Sequence, residues 1–290
     1  MEAPWGSIAA ELASKLGGGF EPQSRRSLGG GCINESWVLE DGERRIFVKI
    51  NSPDRQDMFA AEADGLTELA ASQTIRVPDV VAVGVTEQHA WIGLEYLDMS
   101  GLGPAGQVGF GHGLARLHRS SSDRFGWHRA NTIGTTRQGN AWNDDWVDFL
   151  RNERLGYQFE LAESKGWVFE GSAVLLDRLG DYFENYSPQP ALLHGDLWSG
   201  NVGMIGGREA VLFDPAVYYG DREAEFGIME MFGGFSREFY RAYESDYPLD
   251  PGFKIRKDLY LLYHQLNHFN LFGASYAESA QGSIQRLLAR

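Results

Sequence analysis

The chain has 290 residues but one cysteine, and it carries few basic side chains. A single cysteine cannot form a disulfide within the chain, so a disulfide-stapled fold is excluded and a reduced setting is favoured. Lysine and arginine number 26 against 40 aspartates and glutamates, which gives a net charge of −14. Because an acidic surface repels phosphate backbones and anionic lipids, we expect neither nucleic acid nor a membrane as a partner.

Long apolar runs and repeats are also lacking. No stretch approaches the roughly 18 apolar residues that a membrane span needs. Residues 1–18 lack a basic segment followed by a continuous apolar one, so we expect no signal peptide. With 43% hydrophobic and 23% charged residues, the composition is that of an ordinary globular protein. These features predict a cytoplasmic protein that is long enough for a sizeable core or two lobes.

What the chain does contain is most informative at residues 192–203, which read LLHGDLWSGNVG. The spacing His-x-Asp-x-x-x-x-Asn is typical of a kinase catalytic loop, in which Asp196 would accept a hydroxyl proton and Asn201 would hold a metal ion. A strand-turn-strand pattern follows and ends at Asp214. Because a hairpin returns the chain to its start, Asn201 and Asp214 are predicted to lie close together and to suit Mg²⁺.

Patterns of hydrophobicity divide the chain into a β-rich part and a helical part. The Gly-rich stretch 98–106 separates them, so we predict a nucleotide-binding lobe over 1–97 and a catalytic and substrate-binding lobe over 98–290. Strands are predicted at 36–40, 45–50, 80–85 and 90–95, and helices at 8–16, 54–71, 107–119, 143–164, 171–186, 222–245 and 254–272.

A cluster of three glycines lies between a possible first strand and the strand predicted at 36–40. Gly29, Gly30 and Gly31 would let the backbone approach a ligand and would offer N–H groups to phosphate oxygens. A plain hairpin turn fits the cluster equally well. It is not a Walker loop, because no Gly-Lys-Ser/Thr follows.

A strand lysine and a helix glutamate form a second candidate pair. Glu62 falls inside the apolar stripe of the helix at 54–71, where a carboxylate costs free energy unless it is paired. Lys49, on the strand at 45–50, is the natural partner, and the alternative is that Glu62 lies exposed at the rim. We favour the ion pair, because kinases use such a pair to aim the lysine at the nucleotide phosphates.

A candidate hinge follows the last strand of the β-rich part. Glu95, Tyr96 and Leu97 lie between that strand and the Gly-rich stretch. Their backbone groups could hydrogen-bond the edge of an adenine, although a linker between lobes need not contact a ligand.

These motifs together resemble the fructosamine (ketosamine) kinases, in the aminoglycoside-phosphotransferase-like branch of the protein-kinase fold. The implied fold class is α+β, with a small β-rich N-terminal lobe and a larger, mainly helical C-terminal lobe. The resemblance extends over residues 7–288. It includes Trp198 in HGDLWSGN and the segments 29–36, 125–146, 213–225 and 262–273.

The resemblance implies an ATP- and Mg²⁺-dependent kinase that phosphorylates the 3-hydroxyl of ketosamines, which are fructosamine or ribulosamine adducts of lysine or protein amines. The 3-phosphate would then leave and the amine would be freed, which is a deglycation. Asp196 would be the catalytic base, and Asn201 and Asp214 would bind Mg²⁺. The implied nucleotide-binding residues are Gly29, Gly30, Gly31, Lys49, Glu62, Glu95, Tyr96 and Leu97.

The candidates for contact with the acceptor sugar are Trp198, Asp221 and His268. Aromatic faces stack on sugars, and carboxylates accept hydrogen bonds from sugar hydroxyls. Trp142 and Trp146 are further candidates, and the competing interpretation is core packing, since most of the 8 tryptophans are expected to be structural. Trp198 is favoured because it lies two residues after the catalytic-loop aspartate.

Cys32 lies beside the three glycines. Nearby N–H groups would favour its thiolate, so we hypothesise a redox-sensitive site, such as an intermolecular disulfide between two loops. A small residue tolerated in the loop is an equally good interpretation. We expect a monomer or a weak homodimer.

Two alternatives remain open at the level of sequence. A kinase of the same fold could act on aminoglycosides or choline-like amino alcohols, since net charge does not discriminate among these acceptors. An inactive nucleotide-binding module is the alternative from another class, although all five generic kinase residues are present: Lys49, Glu62, Asp196, Asn201 and Asp214.

Overall fold

The computed structural model describes residues 5–29 and 33–290. The first part of the chain is an antiparallel sheet with a helix on either face. Its elements are α1 (Trp5–Lys15), β1 (Ser24–Leu28), β2 (Glu35–Glu40), β3 (Arg45–Asn51), α2 (Gln56–Ala71), β4 (Val80–Val85) and β5 (Ala90–Glu95). The strands lie in the order β1-β2-β3-β5-β4.

Alternation along β3 explains the two faces of this sheet. Ile46 and Val48 are buried in a cluster with Leu12 of α1, whereas Phe47 packs against the main core on the opposite face. Helix α1 lies close to the sheet, because a Cβ added at Gly93 would come 2.7 Å from Leu12 Cδ2. The sheet is therefore covered on both faces, and Lys49 shares the inner face with Phe47.

The second part of the chain is mainly helical. Its helices are α3 (Pro104–Leu117), α4 (Trp146–Phe149), α5 (Tyr157–Ser164), α6 (Ser172–Asp177), α7 (Glu225–Met231), α8 (Arg237–Asp246), α9 (Phe253–Phe272) and α10 (Ala277–Leu288), with a π-helix at Leu150–Gly156. Its short strands are β6 (Ser100–Gly101), β7 (Asn131–Ile133), β8 (Thr136–Gln138), β9 (Pro190–Leu193), β10 (Val202–Ile205), β11 (Glu209–Leu212) and β12 (Tyr218–Asp221).

Helix α9 lies at the centre of this second part. Leu259, Leu262 and Leu266 are fully buried along it, and it packs against α5, α7 and α10. Within residues 5–29 and 33–290, none of the helices combines the length and apolarity needed to cross a membrane.

Most of the predicted elements are confirmed, including the two strands at 80–85 and 90–95. The single helix predicted over 222–245 is wrong, because α7 ends at Met231 and α8 begins at Arg237. Gly233 and Gly234 between them adopt φ of 84° and 68°, a left-handed backbone that interrupts a helix. The helix predicted over 171–186 is also shorter, since α6 ends at Asp177.

Several elements of the second part are absent from the sequence predictions. They are β7, β8, β12 and α10. The strands have three or four residues each, which is too short for a clear alternation. Their pairing, such as β12 with β9, is decided by contacts between distant segments.

Candidate active site

The predicted catalytic loop connects β9 to β10. Its two ends are joined by one side chain, because Asn201 Nδ2 donates to Asp196 O at 2.8 Å and to Asp196 Oδ2 at 3.2 Å. Gly195 has a φ of 83°, and a Cβ added there would collide with the carbonyl oxygen of Ala216. Glycine is therefore required immediately before Asp196.

A buried glutamate of α7 holds the start of this loop. Glu225 Oε2 accepts from the backbone N–H of His194 at 2.7 Å, and Oε1 accepts from that of Gly195 at 3.0 Å. The sequence pattern does not single out Glu225. Its one signal is a carboxylate next to apolar residues at the start of α7, because a buried carboxylate demands donors.

The histidine of the loop is structural. Burial lowers the pKa of His194, so the imidazole is neutral. Its Nε2 lies 2.9 Å from Phe213 O and its backbone O accepts from Ala216 N at 2.8 Å. His194 therefore ties the catalytic loop to the segment that contains Asp214.

The predicted hairpin brings Asn201 and Asp214 to the same end of β10 and β11. Val202 pairs with Leu212, and the N–H of Phe213 donates to Asn201 O at 3.2 Å. The prediction that Asn201 and Asp214 lie close together is confirmed. Asp214 has a φ of 56°, a left-handed conformation that is rare outside glycine and recurs at functional sites.

The predicted Lys49–Glu62 ion pair is confirmed. Lys49 Nζ lies 2.6 Å from Glu62 Oε1, and both side chains are buried. Lys49 Nζ also contacts Asp214 Oδ1, which links β3 to the hairpin. Burial alone would lower the pKa of Lys49, but Asp214 and Glu62 more than offset it and raise the pKa, so the amine remains charged.

The surroundings of Asp196 give its carboxylate a pKa that suits a proton acceptor. Burial, followed by the nearby carboxylate of Asp214, raises its pKa to about 7, although the bond from Asn201 acts in the opposite direction. A base with a pKa near the working pH transfers protons efficiently.

The oxygen atoms of Asn201 and Asp214 fit a hard divalent cation. The Asn201 amide bonds Asp196 through nitrogen, which leaves its oxygen as a ligand, and the Asp214 side chain is 46% exposed. Across the described ranges 5–29 and 33–290, no three His, Cys, Asp or Glu side chains converge on a metal position. A cation here would take its remaining ligands from phosphates and water, as Mg²⁺ does.

The hinge and glycine-loop candidates receive less support from the side chains. The Glu95 carboxylate accepts from Arg76 Nη2, with Oε1 at 2.6 Å, and the Arg45 guanidinium lies 4.4 Å from the centre of the Tyr96 ring. The side chains of Glu95 and Tyr96 thus contact arginines of the protein itself. A contact with adenine would therefore have to come from the backbone of residues 95–97. Gly29 follows β1.

Three other residues predicted from the sequence lie outside the described part of the chain. They are Gly30, Gly31 and Cys32. Their proposed roles in phosphate binding and redox sensitivity stay predictions.

The prediction that Asp221 contacts substrate is wrong. Asp221 is fully buried, and its carboxylate accepts from the hydroxyls of Tyr186 at 2.8 Å and of Tyr260, and from Glu223 N at 3.0 Å. Every bond is internal, so the residue braces the turn after β12. Its partner Tyr260 belongs to α9, which is distant in the sequence. The burial of Asp221 therefore has no local sequence signal.

Two of the other acceptor candidates lie along one aromatic surface. The Trp198 ring is half-buried against Gly200, and its centroid is 4.8 Å from that of Phe232, which is in turn 5.4 Å from His268. His268 Nδ1 lies 2.8 Å from the carbonyl oxygen of His264. Burial lowers the pKa of His268, so its imidazole is neutral, donates from Nδ1 and keeps an acceptor at Nε2.

The remaining tryptophan candidates differ in exposure. Trp146 is 3% exposed and packs in the core, whereas Trp142 is 37% exposed. Phe232, which joins Trp198 to His268, is not predicted from the sequence, because it lies in the break between α7 and α8.

Comparison with known proteins gives a consistent picture. A family model described as fructosamine kinase matches residues 4–290. A probable ketoamine kinase of Synechocystis sp. is 45% identical over 287 residues, which cover 99% of this chain and 97% of that protein. A chloroplastic protein-ribulosamine 3-kinase of Arabidopsis thaliana is 41% identical over 268 residues, covering 90% of this chain and 82% of that protein.

Solved structures agree with the sequence comparison. The crystal structure of a putative fructosamine-3-kinase from Haemophilus somnus superposes with a TM-score of 0.92 at 32% identity, covering 98% of this chain and 97% of that one. The aminoglycoside phosphotransferase APH(4)-Ia gives a TM-score of 0.60 at 19% identity and covers 98% of each chain, a likeness of fold alone. The chain thus has a kinase-like α+β fold, as predicted.

Proposed function

The chain belongs to the fructosamine kinase family, and we propose on that premise that it transfers a phosphoryl group from ATP to the 3-hydroxyl of ketosamines. It is a phosphotransferase with an alcohol group as acceptor. Its substrates are ribulosamine or fructosamine adducts of lysine or protein amines. Loss of the 3-phosphate then frees the amine, which makes the activity a deglycation.

The observation that carries the proposal is the convergence of five groups from four separate segments. Asp196 and Asn201 share a loop, Asp214 ends the adjacent hairpin, and Lys49 joins Glu62 to Asp214. This is the arrangement that phosphoryl transfer requires, since the reaction depends on positioning and electrostatic stabilisation.

Each group has a defined task in the proposed reaction. Asp196, with its pKa near 7, orients the 3-hydroxyl and accepts its proton as the oxygen attacks the γ-phosphorus. Lys49, held charged by Glu62, binds the α- and β-phosphates. Asn201 and Asp214 would hold Mg²⁺, which would supply neutralising charge to the β- and γ-phosphates.

The remaining parts of the proposal concern the contacts with adenine and sugar, the lobe boundary, the cellular location and the oligomeric state. Glu95, Tyr96 and Leu97 would offer backbone groups to adenine, while Trp198 and His268 would contact the sugar. We place the lobe boundary near residue 97, in agreement with the pairing of β6 with β10. A cytoplasmic location and a monomeric or weakly dimeric state complete the proposal.

Turnover on a panel of acceptors tests the proposed function. ATP consumption is measured with ribulosyl-lysine, fructosyl-lysine, kanamycin and choline for the wild type and for Asp196→Ala. We expect turnover on a ketosamine and a loss of kcat by about 10³-fold or more in the variant, because the base is removed.

The other outcomes are equally informative. Turnover on kanamycin alone would contradict the ketosamine substrate while leaving a kinase of this fold. ATP binding in a thermal-shift assay without turnover on any acceptor would indicate the inactive nucleotide-binding module. Equal activity in Asp196→Ala would show that Asp196 is not the base.

A further inference from the structure

A strip of aromatic side chains runs from the catalytic loop to the end of α9. Trp198, Phe232 and His268 begin it, with centroids 4.8 and 5.4 Å apart. The ring of His268 then lies 5.6 Å from Phe272 and 5.2 Å from Tyr276. We call these five residues the aromatic strip.

Two rings of the aromatic strip are open to solvent, while Trp198, His268 and Tyr276 are half-buried. Phe272 is 56% exposed and Phe232 is 37% exposed. Single exposed apolar side chains are ordinary on protein surfaces, whereas contiguous exposed rings mark sites of interaction. Phe272 and Tyr276, at the end distant from the catalytic loop, have no task in the proposed phosphoryl transfer.

The position of the strip connects it to the proposed active site. Its first ring, Trp198, packs on Gly200 within the catalytic loop. The end of α9 also lies near Ile33, because a Cβ added at Gly134 would be 2.8 Å from Leu271 Cδ1 and 3.7 Å from Ile33 Cδ1. Phe272 follows Leu271 directly, so the strip extends from the catalytic loop to the end of α9 that lies near Ile33.

We propose that Phe272 and Tyr276 bind the polypeptide that carries the ketosamine, while Trp198 contacts the sugar. This inference rests on the proposed function, and it assigns the carrier polypeptide of that substrate a binding surface. A modified lysine that places its sugar at Asp196 must lead its backbone away from the catalytic loop, and the strip begins at that loop and ends at the exposed Phe272.

The chemistry of the strip suits this occupant. Rigid aromatic rings give a large contact area to apolar side chains and backbone at a small entropic cost, and they are enriched at protein interfaces. The net charge of −14 also favours the approach of lysine-rich segments.

The test compares a free and a peptide-bound substrate on the same variants. Steady-state kinetics are measured with free ribulosyl-lysine and with a short peptide containing one ribulosylated lysine. For Phe272→Ala we expect KM for the peptide to rise about fivefold to tenfold, with unchanged kinetics on free ribulosyl-lysine. Phe272→Trp should restore the wild-type value, and Val85→Ala, which shortens a 44% exposed side chain on the sheet, should match the wild type.

Binding of the fluorescein-labelled peptide, followed by anisotropy, separates this inference from the proposed function. Absence of turnover on both substrates by the wild type would remove the proposed function, while loss of peptide binding in Phe272→Ala would still support the strip. Equal effects on both substrates, or no effect on either, would overturn the inference. Concentration-dependent dimerisation that Phe272→Ala abolishes would assign the strip to a second copy of the chain and would also overturn it.

Discussion

Lys49 shows how single side chains prepare this site. Its ammonium is buried between two carboxylates, Glu62 at 2.6 Å and Asp214. Taking a charge out of water costs several kcal/mol, and paired carboxylates return most of that cost. The pair therefore contributes more to the placement of a charge than to the stability of the fold.

Removing the lysine should affect stability and catalysis separately. Lys49→Met leaves Glu62 buried without its cation, so we expect a loss of about 3 kcal/mol in the free energy of unfolding. We also expect kcat/KM to fall about 10²- to 10³-fold, because a charge on the phosphates is lost. Urea unfolding and ATP turnover measure the two effects.

A double variant provides the control for this prediction. Lys49→Met combined with Glu62→Leu removes both charges, so most of the lost stability should return while activity stays low. If the single variant is as stable as the wild type, Glu62 does not depend on Lys49 for its burial.

At the level of elements, the catalytic loop is positioned by a helix that contributes no residue to the proposed chemistry. Helix α7 begins at Glu225, whose two carboxylate oxygens accept from consecutive backbone N–H groups just before Asp196. Strand β9, which leads into this same end of the loop, is fixed by pairing with β12. The orientation of Asp196 is therefore decided by elements that lie far apart in the sequence.

We expect Glu225→Gln to reduce kcat about 10²-fold while KM for ATP changes little. A glutamine has one acceptor oxygen, so one of the two N–H groups loses its partner and the loop moves. ATP binding, measured by thermal shift, should persist in the variant, which a general loss of structure would not allow.

Glu223→Gln is the matched control for Glu225→Gln. Glu223 is also buried, but its Oε2 accepts from Arg256 Nε at 2.8 Å and its Oε1 accepts from Asp250 N at 3.3 Å, and both partners lie outside the catalytic loop. It should lose stability without a comparable loss of kcat. A similar loss of kcat in both variants would show that Glu225 acts through overall stability.

At the level of the whole molecule, contacts across the two parts hold α2 in place. Arg129 Nη1 lies 2.6 Å from Asp64 Oδ2, and Tyr219 OH donates to Glu68 Oε1 at 2.6 Å. Gly65 lies between them, where an added Cβ would approach Val217 Cγ2 at 3.2 Å. Because α2 also carries Glu62, these contacts keep the Lys49–Glu62 pair assembled.

Loosening one of these contacts should weaken nucleotide use. Tyr219→Phe removes a hydrogen bond to a carboxylate, and we expect kcat/KM for ATP to fall threefold to tenfold. Tyr182→Phe is the matched control, since its hydroxyl donates to Leu287 O at 2.8 Å within the second part. Equal steady-state kinetics in Tyr219→Phe and the wild type would show that α2 is held without this bond.

The amino-acid sequence by itself determined the features that depend on local spacing. The catalytic loop, the hairpin to Asp214, the strands and the Lys49–Glu62 pair follow from short periodic patterns and from the cost of an unpaired carboxylate on an apolar stripe. The family resemblance likewise rests on motifs that are contiguous along the chain.

The tertiary structure alone decided the features that depend on distant partners. Asp221 carries a carboxylate of the kind that accepts hydrogen bonds from sugar hydroxyls, but it is bonded instead to the hydroxyls of Tyr186 and Tyr260. Glu225 and Phe232 have no distinctive neighbours in sequence, yet folding places one under the catalytic loop and the other beside Trp198. Burial and long-range contact are properties of the packed molecule, so no local pattern could have revealed them.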